Sequence, residues 1–327
     1  MVRDSGRPLM GTILVTSRSF SSGSVDEVAR LADAGHTVVT ASPRHDLAEL
    51  LALLPDAVGW IAGTGVVTRQ HLDAAPHLRV IARYGVGVES VDIAAAAERG
   101  IVVTNTPGAN SDAVADHAVG LMLAILRSTT AGDRRVRAND WSVLRGRELG
   151  ALTVGIIGFG RIGQGVARRL RGFGSRTFAH DPWLADDAVL QAGAVPQAIL
   201  TMASECDLVT LHSPGGTSII TTEWLDFARP GLVIVNTARP ELIDEVALAR
   251  ALRAQSVAGF AADTLSGDAR GLSSPLLAAD LADRVIVTPH FGAQTVQAVD
   301  NMGSMAVNNL LAVLAGGSPA NPVATKA

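Results

Sequence analysis

The segment Val154-Gly155-Ile156-Ile157-Gly158-Phe159-Gly160-Arg161-Ile162-Gly163 constrains this chain more than any other, because an apolar β-branched run feeds a G-x-G-x-x-G turn. Gln164 to Arg171 follow with helix-forming composition and place Val166 and Leu170 four apart on one face. Strand, tight turn and helix are the expected order. Gly158 permits the turn, Gly160 lets the backbone approach a pyrophosphate, and Gly163 lets the helix pack on the strand. The helix N-terminus then points its N–H groups at the phosphates. Thr177 to Ala179 reads as the next strand. Asp181, eighteen residues past Gly163, stands where a carboxylate takes both hydroxyls of an adenosine ribose. A glycine-rich turn alone carries little; strand, helix and acid in register point to a dinucleotide. A carboxylate at 181 repels a 2′-phosphate, and Asp181-Pro182-Trp183-Leu184 offers no Arg or Lys to receive one, so NAD is favoured over NADP.

Composition narrows the classes of function. With 327 residues, 48% hydrophobic and 18% charged, the chain has material for two sizeable cores. A formal charge of −4 leaves no electrostatic footprint for nucleic acid or an anionic membrane, so a small-molecule partner is expected. The single cysteine, Cys206, cannot form an intrachain disulfide, and a cytoplasmic protein is expected. The N-terminus carries no long apolar core, and the longest apolar run, Ala118 to Leu126, is far short of the ~20 residues of a membrane span. The only lysine is Lys326, which argues against P-loop, Schiff-base and Tyr-x-x-x-Lys chemistry; the only tyrosine, Tyr84, is followed four later by Val88. No metal is expected: eight histidines and one cysteine show no close ligand spacing, and His71 and His77, six apart, fall on different helix faces.

Short β-rich and helical runs alternate before the glycine turn: strands at Thr12 to Thr16, Thr37 to Thr40, Val58 to Ala62, Arg79 to Ala82 and Ile101 to Val103, with helices between. A complete small α/β domain thus precedes the dinucleotide motif. A long helix is expected from Ser111 to Ala138, crossing between domains, with Val114, Ala118, Leu121 and Ile125 at helical spacing. Further strands at Leu208 to Leu211, Leu232 to Asn236, Ala258 to Ala261 and Val285 to Thr288 complete a doubly wound parallel sheet. A last helix near Thr295 to Leu314 returns to the first domain. The expected fold is α/β in two lobes, a Rossmann NAD domain (105–293) inserted into a flavodoxin-like substrate domain (1–104 with 294–327).

Three polar residues stand just beyond strand ends: Arg239, Asp263 and His290. Oxidation of a 2-hydroxy acid by hydride transfer needs a base for the hydroxyl proton and a cation for carboxylate and carbonyl. Histidine and the arginine fork suit those tasks. Singly, each has a plainer reading: a hydrogen-bonded loop histidine, a surface ion pair, a helix cap.

Together and in this order they resemble the D-isomer-specific 2-hydroxyacid dehydrogenase family. The resemblance runs from about Leu78 to Val323, through Arg83-Tyr84-Gly85-Val86-Gly87-Val88-Glu89, Asn105-Thr106-Pro107-Gly108, the glycine turn, Asn236-Thr237-Ala238-Arg239, Ala262-Asp263 and Thr288-Pro289-His290-Phe291-Gly292. It implies that Arg239 binds the substrate carboxylate and polarises its carbonyl, and that His290 is the general acid/base. It further implies that the Val86 and Gly87 backbone holds the carboxylate and that Asp263 meets the nicotinamide amide. On the cofactor side it implies Gly158, Gly160, Arg161, Ile162, Gly163, Asp181, His212 to Pro214, Thr237, Ala238 and Gly292. Members are usually homodimers, and helix Val114 to Leu126 is a candidate contact, although burial within one subunit explains the same stripe.

Three departures stand out. Asp268 occupies the place of a family glutamate that pairs with the histidine; it is one methylene shorter, about 1.5 Å of reach, and is expected to keep the role. Pro240 replaces a glycine and biases Arg239 toward extended backbone. Ile61-Ala62-Gly63 lacks the arginine typical of phosphoglycerate enzymes, leaving Arg83 as a second anion contact or as an exposed arginine at a strand end, and a smaller 2-keto acid is favoured. The rivals are a formate- or phosphite-type dehydrogenase on the same scaffold and an NAD-sensing, corepressor-like binding protein.

Overall fold

The computed structural model describes residues 10–267 and 274–324, and the chain divides into two compact units, Met1–Asn110 with Gln294–Ala327, and Ser111–Ala293. In the first unit five parallel strands, β1 (Thr12–Val15), β2 (Thr37–Thr40), β3 (Ala57–Ala62), β4 (Val80–Arg83) and β5 (Val102–Thr104), lie in the order β2-β1-β3-β4-β5. This is the flavodoxin-like order, with its switch point between β1 and β3. All six residues of central β3 are buried, as a parallel strand covered on both faces requires, whereas edge strand β2 is half exposed. The helix Val296–Leu314 covers β3, β4 and β5.

The second unit holds seven parallel strands: β6 (Thr153–Ile157), β7 (Arg176–His180), β8 (Val195–Pro196), β9 (Leu208–Leu211), β10 (Leu232–Asn236), β11 (Val257–Ala262) and β12 (Val285–Val287). Their order, β12-β11-β10-β9-β6-β7-β8, is the doubly wound arrangement, reversing between β6 and β9. The glycine-turn helix spans Arg161–Phe173 and packs on helix Ser111–Leu126 so closely that a Cβ on Gly165 would lie 3.1 Å from Ala115 Cβ.

Two details depart from the sequence expectation. Residues 105–110 belong with the first unit, because Asn105 N–H bonds to Asn321 C=O (3.3 Å) and Thr106 N–H to Gly85 C=O (3.1 Å). The long helix is two helices, Ser111–Leu126 and Thr129–Arg137, both in the second unit. The break has a local cause: the Leu126 carbonyl accepts from Arg147 N–H (3.0 Å) and Ser128 turns left-handed at φ 51°. Among the described residues, no helix is long and apolar enough to cross a membrane.

At the β1/β3 switch point a polar cluster is buried in the first unit. Thr16 Oγ1 lies 2.6 Å from His45 Nε2 and accepts from Trp60 Nε1 (2.9 Å), while His71 Nε2 donates to the His45 carbonyl (2.9 Å). Burial first, then the neighbouring His71 and Arg83, lower the His45 pKa from 6.5 to about 4. The native state therefore favours neutral His45, whereas the unfolded chain takes up a proton below about pH 6.5. Stability is expected to be full above that pH and to fall by about 3 kcal/mol as pH drops toward 4. Urea denaturation across this interval should show the loss, and His45→Asn, which tolerates the native φ of 57°, should flatten it.

Candidate active site

The C-terminal edge of the second unit's sheet carries those expected site residues of that unit that lie among the described residues. Gly158 (φ 89°) turns the chain out of β6 and runs so close to the loop after β9 that a Cβ would sit 2.5 Å from His212 C and Ser213 N. Gly160 caps the helix Arg161–Phe173, whose first intrahelical bond runs from Gln164 N–H to Gly160 C=O (2.9 Å). The N–H groups of Arg161, Ile162 and Gly163 precede that bond at the helix N-terminus. A Cβ on Gly163 would lie 2.2 Å from the Gly158 carbonyl oxygen, so only glycine lets the helix start so near the strand. A Cβ on Gly160 would meet nothing within 4 Å, and this open space in front of the helix fits a pyrophosphate.

Asp181 follows β7 and is oriented by the same turn. Its Oδ2 accepts from Phe159 N–H (2.8 Å) and its Oδ1 from Trp183 N–H (3.0 Å), leaving lone pairs for two ribose hydroxyls. His212 follows β9, with Nε2 3.0 Å from Thr210 Oγ1; burial lowers its pKa to about 3, so it presents a neutral imidazole. Gly215 keeps this loop near the next one, where a Cβ would fall 3.2 Å from Arg239 Cγ.

Beyond β10 the Asn236 side chain organises the turn: Oδ1 accepts from Ala238 N–H (3.0 Å) and Nδ2 donates to the Arg239 carbonyl (2.9 Å). The backbone of Ala238 is thereby largely engaged, since its carbonyl also accepts from Arg239 Nη1 (3.0 Å), and Thr237 Oγ1 lies 3.5 Å from His212 Nδ1. Arg239 is extended (φ −137°, ψ 139°), the conformation a following proline imposes, and Pro240 opens a short 3-10 turn. The role of Asn236 is one that sequence reasoning missed.

Asp263 follows β11 and is the best-held carboxylate of this edge. It accepts from Thr288 Oγ1 (2.5 Å), Phe291 N–H (3.0 Å) and Gly292 N–H (2.8 Å). Burial pushes its carboxyl up, yet the hydrogen bonds from His117, Thr288, Gly292 and Phe291 outweigh it and leave the pKa below the ordinary carboxylate value. Gly292, expected beside the cofactor, uses its N–H on this carboxylate, and a Cβ there would come within 2.9 Å of Oδ2. His290 lies between these anchor points in left-handed backbone (φ 54°), a conformation costing about 1–2 kcal/mol in a residue with a Cβ. Such strain persists where the surroundings over-determine it. Strands β10, β11 and β12 are neighbours, so Arg239, Asp263 and His290 leave the same edge from three strands about 5 Å apart in succession.

His117, in helix Ser111–Leu126, was not singled out from the sequence. Its Nε2 lies 3.0 Å from Thr288 Oγ1 and 3.4 Å from Asp263 Oδ1, and its ring packs on Phe291 at 5.0 Å. Asp268 lies outside the described residues; Ser266 and Ser274 on either side are both held by buried Glu245, through bonds of 2.7 and 2.6 Å.

In the first unit, the turn after β4 starts at Gly85 (φ 139°) and presents an exposed Val86. Asn105 Nδ2 donates to the Val86 carbonyl (2.8 Å), fixing the turn that continues into Gly87. Arg83 points inward instead: it is buried, with Nη1 donating to the carbonyls of Tyr84 (2.6 Å) and Ala62 (3.3 Å). It is therefore not the exposed strand-end arginine of the alternative reading. Among the described residues, no group of three His, Cys, Asp or Glu is placed to hold a metal ion.

Residues 119–292 match the family model described as D-isomer specific 2-hydroxyacid dehydrogenase, NAD binding domain. A D-3-phosphoglycerate dehydrogenase of Mycobacterium leprae is 37% identical over 277 residues, 83% of this chain and 52% of that protein. A glyoxylate reductase of Pyrococcus furiosus is 34% identical over 267 residues, 77% of this chain and 78% of that protein. A solved Thermus thermophilus protein has a TM-score of 0.86 and 33% identity, over 96% of this chain and 100% of that one. The chain spans about half the length of the phosphoglycerate dehydrogenases it matches.

The glycines of the turn give separable expectations. Gly163→Ala forces the helix off the strand and should cost about 1–3 kcal/mol in urea denaturation. Gly160→Ala, whose Cβ meets no protein atom, should leave that stability intact and weaken NADH binding by about tenfold or more, read by NADH fluorescence.

Proposed function

Because this chain belongs to the D-isomer specific 2-hydroxyacid dehydrogenase family, with its second unit carrying the NAD-binding domain, we propose that it interconverts a small 2-keto acid and its D-2-hydroxy acid. The observation that carries the proposal is the shared edge of β10, β11 and β12, from which a fixed cation (Arg239), a hydrogen-bonded carboxylate (Asp263) and a histidine (His290) emerge on neighbouring strands. NAD, when bound, supplies the acceptor or donor of hydride. Gly158 to Gly163 hold its pyrophosphate at the helix N-terminus and Asp181 takes the ribose hydroxyls. The neutral His212 and the loop to Pro214 flank it without adding charge, with Thr237 and Ala238 alongside.

Arg239 binds the substrate carboxylate and draws electron density from its carbonyl, a task for a planar donor fork that stays charged. His290 gives a proton to the carbonyl oxygen on reduction and takes it back on oxidation. Asp268 keeps its assignment as the acidic partner of His290 by its place in the sequence. In the first unit, the Val86–Gly87 turn is assigned to the substrate carboxylate through its backbone N–H groups.

A small acid is favoured over a phosphorylated one by the end of β3. Ala62 is fully buried, and a Cβ on Gly63 would lie 2.4 Å from the Thr16 carbonyl oxygen, so no side chain can extend there to hold a phosphate. Glyoxylate, pyruvate and hydroxypyruvate should therefore support NADH oxidation better than phosphonopyruvate. His290→Gln should lower kcat/KM by about 10²–10⁴-fold. Absence of turnover with every acid, with NADH and with NADPH alike, would overturn the proposal.

The same reading extends to assembly and location. A cytoplasmic protein is supported by the lone Cys206, whose thiol burial, then Asp207 and Glu205, push up to about 12, leaving it inert. A homodimer is supported by apolar residues exposed on the second unit, Trp141 (76%) and Val143 (94%), rather than by helix Ser111–Leu126, whose apolar stripe is buried within its own unit. Trp141→Ser with Val143→Asp should convert a two-chain species to one chain in light scattering; wild type already at the mass of one chain would dismiss the dimer.

A further inference from the structure

We propose that His117 is a positioning residue for His290, acting through Thr288 and the Asp263 carboxylate on the turn at residues 288–292. The inference deepens the function proposed above and rests on His290 as the acid/base. Proton arithmetic assigns the direction of the chain. Thr288 Oγ1 has one hydrogen and faces two groups that only accept, Asp263 Oδ1 at 2.5 Å and the Ala262 carbonyl at 3.3 Å. The nearer, charged oxygen takes it. The lone pairs of Oγ1 then face His117 Nε2 at 3.0 Å, and that contact is favourable only if Nε2 carries hydrogen. The order is thus Nε2–H to Oγ1–H to Oδ1, and His117 holds the tautomer protonated on Nε2.

The consequence for His290 is geometric. Asp263 binds Thr288 on one side of His290 and the N–H groups of Phe291 and Gly292 on the other, so its carboxylate holds the left-handed residue between its anchors. His117 fixes this carboxylate from the helix side. It also packs its ring on Phe291 and lies 3.2 Å from where a Gly292 Cβ would be, so it meets the turn at Thr288, Phe291 and Gly292. Removal of the Nε2 donor takes away the hold from the helix side and leaves Asp263 on Thr288 and the two backbone N–H groups alone, which loosens the frame that keeps the His290 φ positive.

Two variants separate positioning from packing. His117→Phe keeps a ring against Phe291 and deletes the donor; His117→Gln loses the ring and keeps an N–H able to reach Thr288. With glyoxylate and NADH, His117→Phe is expected to lower kcat by about 10–100-fold, the cost of misplacing a reacting group by about 1 Å, with KM for NADH changed far less. His117→Gln is expected to recover most of kcat. A readout independent of turnover is the His290 imidazole resonance of the protein without added substrate, identified by its loss in His290→Gln. It should shift in His117→Phe and stay near wild type in His117→Gln. Unchanged kcat and resonance in His117→Phe would overturn the proposal, as would equal losses in both variants that track a fall in Tm. If wild type turns over no keto acid, the functional reading fails, while the resonance still decides whether His117 positions His290.

Discussion

The closeness of Gly163 to the Gly158 carbonyl is the contact on which the second unit's chemistry depends. A Cβ at 163 would stand 2.2 Å from that oxygen, so the helix Arg161–Phe173 starts at the lip of β6 because Gly163 lacks a side chain, while a bare Gly158 lets the same turn meet the loop after β9. Three consequences follow from this one approach. The helix N-terminus meets the sheet's C-terminal edge, where its N–H groups favour an anion. Phe159 N–H is left pointing at Asp181, fixing the carboxylate proposed to take the cofactor ribose. The turn also closes against the loop after β9, so the neutral His212 is held beside it by the same backbone.

Across the same sheet, the β10 to β12 edge solves a different problem, the burial of charge. Taking a carboxylate out of water costs several kcal/mol unless donors replace it. Asp263 gains two backbone N–H groups, a threonine hydroxyl and the neighbouring His117, which together leave it ionised despite burial. Those donors come from the turn after β12 and from a helix more than a hundred residues earlier. The carboxylate therefore acts as a tie between elements as well as a candidate contact for the cofactor. The strained φ of His290 is intelligible in this light: the residues on both sides of it are bonded to one anion.

What the sequence made legible divides along the same line. Features set by neighbours in the chain could be read directly: the β-branched strands, the glycine turn, the acid after β7, and the extended Arg239 before Pro240. That both sheets are parallel follows from the alternation of strands and helices. Features set by distant partners could not. His117 sits in an apolar helix with nothing local to mark it, and its partner Thr288 is 171 residues away. Asn236 was visible in a motif, but its grip on Ala238 and Arg239 is a matter of side-chain direction. The helical pattern continues through Ser128 because no Gly or Pro lies between Leu121 and Ala131; the break comes from Arg147 capping Leu126. Arg83 read equally well as an anion contact or as an exposed strand-end arginine, and its burial against the Tyr84 and Ala62 carbonyls is something no local pattern marks.

The two units obey one topological rule and put it to opposite uses. In a parallel sheet the crevice at the switch point is where ligands ordinarily sit. In the second unit, between β6 and β9, that crevice is open in front of Gly160. In the first unit, between β1 and β3, it is filled by protein: Thr16, His45 and Trp60 are buried there in mutual hydrogen bonds and ring contact. Gly63 and Gly65 are drawn so tight that a Cβ would fall 2.4 Å from the Thr16 carbonyl oxygen or from His45 Cγ. A second nucleotide has no place at that closed crevice. Ligand contacts in the first unit are then left to its loops, and the exposed turn at Val86 is one whose backbone is tied down, by Asn105.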